Sequence, residues 1–279
     1  MRIWHQSFTD LDMVPLYRRT LIDHAAKVMD PGVSVTVHGL RPGTYGQDFV
    51  PIDAIRHRYV EMLNESQIVE AALTAEREGY DAVALACFYD RALRAARSVV
   101  DIPVVGLSET AMLVACSLGH KFALIALNED QQAQHVEVAH ACGLEGRLAA
   151  SLAMEPAIDE YMLEGDDQAT LPIVEGFHRA CRRAIDAGAD VIIPVDGVLN
   201  EFVWRRGLLQ FENATVMDSL GVLFRYAAFM AGARATLGLE VSRVRHYAKP
   251  SKAMLDHARS FAGVKPMQEK DFFGGSSKG

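Results

Sequence analysis

Short apolar runs and longer amphipathic stretches alternate along the chain. The runs at 3–8, 33–40, 82–88, 104–107, 122–127, 149–153, 191–195 and 215–218 are rich in Val, Ile, Leu and Ala. Several lack the in/out alternation of a half-exposed strand, and strands covered on both faces read this way, as in a parallel sheet between helix layers. Between them the pattern predicts helices over roughly 13–29, 53–78, 90–99, 109–118, 129–142, 157–164, 171–187, 198–207, 219–237 and 251–262. Asn128 and Gln131 form a candidate capping box, and Gly79, Gly119, Gly143 and Gly188 stand where helices should end. Alternation of this kind predicts an α/β fold with doubly wound, parallel sheets.

Two stretches of this pattern match each other. Glu78-Gly79-Tyr80-Asp81 leads into an apolar strand that ends at Cys87, and Ala187-Gly188-Ala189-Asp190 leads into one that ends at Asp196. Gly79 and Gly188, Asp81 and Asp190, and Cys87 and Asp196 are each 109 positions apart. Each strand is followed by a helix and a second apolar strand, so the chain reads as two copies of one α/β unit. The expected organisation is a first lobe from 1–105 plus 215–265, a second lobe from 106–214, and a flexible tail from 266–279.

Composition narrows the function. Half of the 279 residues are hydrophobic, enough for one large or two medium cores. A net charge of −8 argues against nucleic acid as a partner, because phosphate binding needs a basic face. Neither a signal peptide nor an apolar run long enough to span a membrane is apparent, and the four cysteines contain no CxxC pair. A cytoplasmic protein with reduced thiols is expected. His135 and His140 suggest a metal site at first sight, but i, i+5 spacing places them about 140° apart around a helix, and no metal is expected.

The repeat carries the chemistry. Ligands of open α/β sheets bind beyond the carboxyl ends of the strands, where Cys87 and Asp196 both fall. If the two lobes face each other, a thiol and a carboxylate enter one cleft from opposite sides, as an acid/base pair across a small substrate. As a base the thiol must become thiolate, so its pKa must fall from about 8.5, helped by the helix that starts near Asp90. Cys87 is then expected to be unusually reactive toward alkylating agents. Asp90 itself would oppose a thiolate, unless it serves as a helix cap.

Ala86-Cys87-Phe88-Tyr89-Asp90 resembles the Gly-Cys-Phe-x-Asp segment of hydantoin racemases in the aspartate/glutamate racemase superfamily. The stretch IPVVGLSETAMLVACSLGHKFALIAL at 102–127 resembles that family's IPVIGI-x-E-A segment with its helix and next strand. GADVIIPVDG at 188–197 and ATVMDSLG at 214–221 are similar to two further family segments, and the likeness runs over roughly 2–232. The resemblance implies two pseudo-symmetric lobes with the site between them and no cofactor. It also implies a homo-oligomer, dimer or tetramer, and two cysteines that exchange protons at a carbon acidified by a carbonyl.

The sequence departs from that pattern twice. Asp196 stands where the racemases carry their second cysteine, and His5-Gln6-Ser7-Phe8-Thr9 replaces their Asn-Pro-Asn segment after the first strand. The expected catalytic pair is therefore Cys87 and Asp196, and their unequal basicity suits a one-directional reaction better than a reversible one. The main expectation is a racemase or isomerase acting on a small carbonyl compound. A Cys-dependent hydrolase, a lyase that protonates an enolate, and a non-catalytic binding protein stay open.

Candidate substrate-binding residues are His5 and Ser7 after the first strand, Tyr45 in the Gly-rich loop 39–46, and Phe88 and Tyr89 beside Cys87. The amides of Ser108, Glu109 and Thr110, at a strand end entering a helix, could hold a carboxylate or imide oxygen; plain capping by Ser108 explains the same residues. Gly197 and Val198 could offer backbone donors in the same way.

Overall fold

A computed structural model describes residues 1–46 and 48–272. The first sheet contains β1 (Arg2–Ser7), β2 (Ser34–His38), β3 (Ala82–Ala86) and β4 (Val104–Gly106) in the order β2-β1-β3-β4, all parallel. The second contains β5 (Phe122–Ala126), β6 (Leu148–Ala153), β7 (Val191–Pro194), β8 (Gln210–Phe211) and β9 (Ala214–Val216) in the order β6-β5-β7-β9-β8. Its first four strands are parallel, and the two-residue β8 pairs antiparallel to β9 as an edge that periodicity could not reveal. The helices are α1 (Pro15–Val28), α2 (Pro51–Ile55), α3 (Arg58–Arg77), α4 (Leu93–Val99) and α5 (Leu107–Leu118), followed by α6 (Glu129–Ala141), α7 (Leu171–Asp186), α8 (Gly197–Arg205), α9 (Ser219–Leu237) and α10 (Lys252–Phe261).

The duplicated segment has a physical cause. Asp81 accepts a hydrogen bond from the Arg2 amide at 2.6 Å, and Asp190 accepts from the His120 and Lys121 amides at 2.8 and 3.0 Å. Each carboxylate thus pins the start of an interior strand of its sheet, β1 in one lobe and β5 in the other. Gly79 and Gly188, at φ +75° and +91°, make the left-handed turn that ends the preceding helix and lets each Asp arrive there. The same register places Cys87 just past β3 and Asp196 just past β7.

Several local expectations change. The long helix at 53–78 is two, broken at His57, whose backbone is extended (φ −87°, ψ 101°). The helix expected at 157–164 is a single 3₁₀ turn over Tyr161–Glu164, because Pro156 and Gly165 bracket a stretch too short to propagate. The capping box is half made: Asn128 accepts from the Gln131 amide at 3.0 Å, while Gln131 accepts from Leu127 instead of Asn128. After β9 the chain returns to the first lobe, where α9 packs on β1, β3 and β4. Residues 266–272 do not hang free: Met267 and Phe272 are buried against the outer face of the first sheet, Phe272 edge-on to Trp4 at 5.4 Å. The remainder of the expected tail, 273–279, lies outside the described residues. No helix among those described is long and apolar enough to cross a membrane.

Candidate active site

The turn after β3 builds the first half of the site. The Asp90 amide donates to the Cys87 carbonyl at 2.9 Å, and Asp90 and Ala92 adopt φ +47° and +58°. This tight path turns the Asp90 side chain away from Cys87 toward α5, where its carboxylate accepts from the Ser108 amide at 3.1 Å and the Glu109 amide at 2.8 Å. Asp90 therefore caps a helix, although α5 and not the helix beginning near itself. Burial outweighs those two hydrogen bonds and raises its carboxyl to about 7.

The second half follows β7. Asp196 is the N-cap of α8, accepting from the Val198 amide at 2.8 Å and the Leu199 amide at 3.1 Å. Such bonds normally hold a carboxyl low, yet burial wins and raises Asp196 above its ordinary value. The Gln131 side chain from α6 adds a further hydrogen bond.

Cys87 and Asp196 line one buried pocket of about 50 Å³ between the lobes. Ser7, Phe88, Tyr89, Gly197 and Val198 line it with them. Tyr89 is fixed by stacking on His135 at 4.8 Å and by the Arg91 guanidinium 5.1 Å over its ring. Gly197 opens space for Tyr17: a Cβ at that position would lie 2.5 Å from the Tyr17 hydroxyl, which hydrogen-bonds Ser7. Val198 contributes an amide, but to Asp196 and not to open space.

The structure places the other sequence candidates elsewhere. His5 is buried edge-on to Phe224, and burial lowers its pKa to about 3. Tyr45 donates its hydroxyl to the Phe8 carbonyl at 2.7 Å, behind the pocket wall. The Ser108 hydroxyl donates to the Phe88 carbonyl, Glu109 pairs with Arg97 at 2.5 Å, and Thr110 is buried in α5. With the Ser108 and Glu109 amides taken by Asp90, that helix start holds an internal carboxylate. His135 lies beneath Tyr89 and His140 faces solvent near Glu145, so the two do not converge.

Cys87 also differs from expectation. It was expected to be depressed by a helix N-terminus, but α4 begins only at Leu93 and the thiol is buried. Burial pushes Cys87 up to about 12, with only partial relief from the Tyr89 and Arg91 amides and the Arg91 charge. The resting residue is a neutral thiol.

Three polar residues of the pocket were not singled out from sequence: Thr9, Tyr17 and Glu160. Glu160 comes from the loop after β6 and is 5% exposed. Burial and the charge of Asp196 raise its carboxyl well above the ordinary range. Among the described residues the pocket has no Lys, Arg or His lining. A larger surface cleft of about 470 Å³ lies on the far side of Tyr89. Of its three arginines, Arg97 pairs with Glu109 and Arg91 with Glu61, both at 2.5 Å.

Comparison with known proteins places this site in context. The family described as Asp/Glu/Hydantoin racemase matches residues 21–193. The chain is 24% identical over 200 residues to a hydantoin racemase of Pseudomonas sp. (strain NS671), covering 71% of this chain and 76% of that one. Its fold is similar to an allantoin racemase from Klebsiella pneumoniae, with a TM-score of 0.72 at 24% identity over 90% of this chain and 94% of that one. A second allantoin racemase, from Pseudomonas fluorescens, gives 0.69 at 22% identity over 90% and 97%. With the two-lobed fold, the paired strand ends and a family match over more than half its length, the chain belongs to the Asp/Glu/hydantoin racemase family.

Proposed function

We propose that the protein is a cofactor-independent racemase of a small neutral carbon acid, with Cys87 and Asp196 exchanging protons on opposite faces of one carbon. The observation that carries this reading is that the two groups, from equivalent strand ends of the two lobes, line one buried pocket. The absence of a cationic lining residue among those described disfavours a carboxylate substrate, which would meet the Asp196 carboxylate without a counter-charge. A ring whose acidic C–H is flanked by a carbonyl fits better, and the names of the hydantoin and allantoin relatives point to a cyclic ureide.

Protonation states set the direction of each half-reaction. At rest Cys87, the weaker acid of the pair, holds its proton, and the Asp196 carboxylate is the group free to act as base. For one enantiomer the C–H bond breaks toward the Asp196 carboxylate, the electron pair moves onto the carbonyl oxygen, and the Cys87 S–H bond then delivers a proton to the other face. Thiolate and carboxylic acid remain and must return their proton before the next cycle. The other enantiomer requires that second state at the outset. Because the two enantiomers are equal in energy, kcat/KM must be equal in both directions, and the unequal basicity appears in kcat and KM separately. The buried neutral thiol also fits proton donation better than nucleophilic attack, which requires a free thiolate.

The test is to supply each enantiomer of a 5-monosubstituted hydantoin separately and follow it by chiral chromatography against a no-enzyme control. Both must converge on the racemate with wild type and stay unchanged with Cys87→Ala. Ring-opened or decarboxylated product, with the remaining substrate still optically pure, would replace this reading by hydrolase or lyase chemistry.

A further inference from the structure

The proton transfer above leaves negative charge on the substrate carbonyl oxygen, and no lining residue among those described is a cation. Charge that develops in a buried site needs preorganised donors, and neutral hydrogen-bond donors can serve. Two lining side chains have the required form. Thr9 Oγ1, from the loop after β1, and Glu160 Oε2, from the loop after β6, are buried polar atoms with no hydrogen-bond partner among the described residues. They come from different lobes. The Glu160 side chain is held by a backbone hydrogen bond from Ile52 at the start of α2, which leaves Oε2 unpartnered.

We infer that Glu160 is a further catalytic residue: a neutral carboxylic acid whose Oε2–H donates to the oxygen on which the enolate charge develops, with the Thr9 hydroxyl as second donor. This rests on the racemase reading of the same pocket. Glu160 keeps its proton throughout. The substrate C–H bond breaks toward Asp196, the electron pair settles on the carbonyl oxygen, and the Glu160 O–H bond strengthens its hydrogen bond without transferring. The surroundings keep the acid neutral. Asp196 at the start of α8 and Asp159 in its own loop repel a second charge, and the facing phenols of Tyr45 and Tyr161 bring no positive charge. A carboxylic acid kept neutral by an apolar, like-charged site is an established way to hold an oxyanion.

Two variants and one spectrum test this. Glu160→Gln keeps an N–H donor of similar shape and cannot ionise, whereas Glu160→Leu keeps volume and loses the donor. The expected result is that Glu160→Gln retains kcat within about tenfold, while Glu160→Leu loses on the order of 10²–10³ in kcat with little change in KM. Circular dichroism checks that both variants fold. Wild-type activity should fall at alkaline pH as Glu160 ionises, and that limb should vanish in Glu160→Gln. Isotope-edited infrared difference spectra, wild type minus Glu160→Gln, should show a protonated carboxyl C=O band at neutral pH. Glu160→Gln as inactive as Glu160→Leu, or Glu160→Leu as active as wild type, would overturn the inference. So would an ionised Glu160 in the infrared spectrum. If wild type turns over no hydantoin, the racemase reading fails, and the infrared band alone decides the state of Glu160.

Discussion

His24 offers the most quantitative test of how the lobes are held together. It projects from α1 and is fully buried between Glu201 of α8, 2.7 Å from Nδ1, and Asp218 at the start of α9, 2.9 Å from Nε2. Its ring stacks on Trp204 at 4.1 Å. Burial alone lowers its pKa, but hydrogen bonds to Asp218 and Glu201 and their charges prevail and raise it from 6.5 to about 9. The imidazolium therefore stabilises the fold fully below pH 6.5, and that stability is lost as pH rises through about 9. At about 1.4 kcal/mol per pH unit, the full contribution is roughly 3 kcal/mol, with about 2 left near pH 7.5. Burial also raises Glu201, so part of this gain is offset by keeping that carboxylate charged. We expect His24→Gln to cost about 2–3 kcal/mol near pH 6 and under about 1 kcal/mol near pH 9.5. Urea denaturation of both proteins at about pH 6, 7.5 and 9.5 measures this, the difference between them cancelling other titrating groups. A cost that does not shrink across that range would mean that His24 is not held as an imidazolium.

Three other outcomes follow from the packing. Cys87, raised to about 12, should alkylate slowly with iodoacetamide at neutral pH, since only about one thiol in 10⁴ is ionised near pH 8; mass mapping that finds Cys87 the fastest of the four thiols would contradict its burial. Gly197→Ala places a methyl 2.5 Å from the Tyr17 hydroxyl, which should cost about 1–3 kcal/mol and displace a pocket wall; an unchanged melting temperature and unchanged kcat/KM would count against that contact. Phe272→Ala removes a fully buried ring from the outer face of the first sheet and should cost about 3–5 kcal/mol in chemical denaturation; a loss under about 1 kcal/mol would mean that the docked 266–272 segment contributes little.

The α/β repeat was legible because its causes are local. A strand buried on both faces needs a continuous apolar run, and a helix that turns back into a sheet needs a left-handed glycine and an acid to pin the neighbouring strand. Gly79 with Asp81 and Gly188 with Asp190 display both. The position of Cys87 and Asp196 at strand ends followed from the same register. Features set by distant partners were not legible. Ser108 and Glu109 look like free donors until Asp90, arriving from a turn with two left-handed residues, occupies their amides. Thiol burial is a property of the closed pocket, so a helix-dipole argument gave the wrong sign for Cys87. Glu160 was hidden by its expected place in a helix over 157–164. The available signal was the bracket of Pro156 and Gly165, which leaves too few residues for a stable helix and turns an acid-rich stretch into a loop over the pocket.

If Cys87 and Asp196 act on opposite faces of one carbon, solvent deuterium must report it. Each enantiomer of a 5-monosubstituted hydantoin is incubated in D₂O to low conversion, and deuterium is counted separately in product and recovered substrate. The Cys87–Asp196 mechanism predicts one deuterium per product molecule and protium retained in the recovered substrate, with formation of deuterated product abolished by Cys87→Ala. Equal deuterium in product and recovered substrate would mean one exchanging base on one face. Deuterium in neither, with product still formed, would mean that one group returns the same proton or that no C–H bond is broken, and either result would contradict the Cys87–Asp196 mechanism.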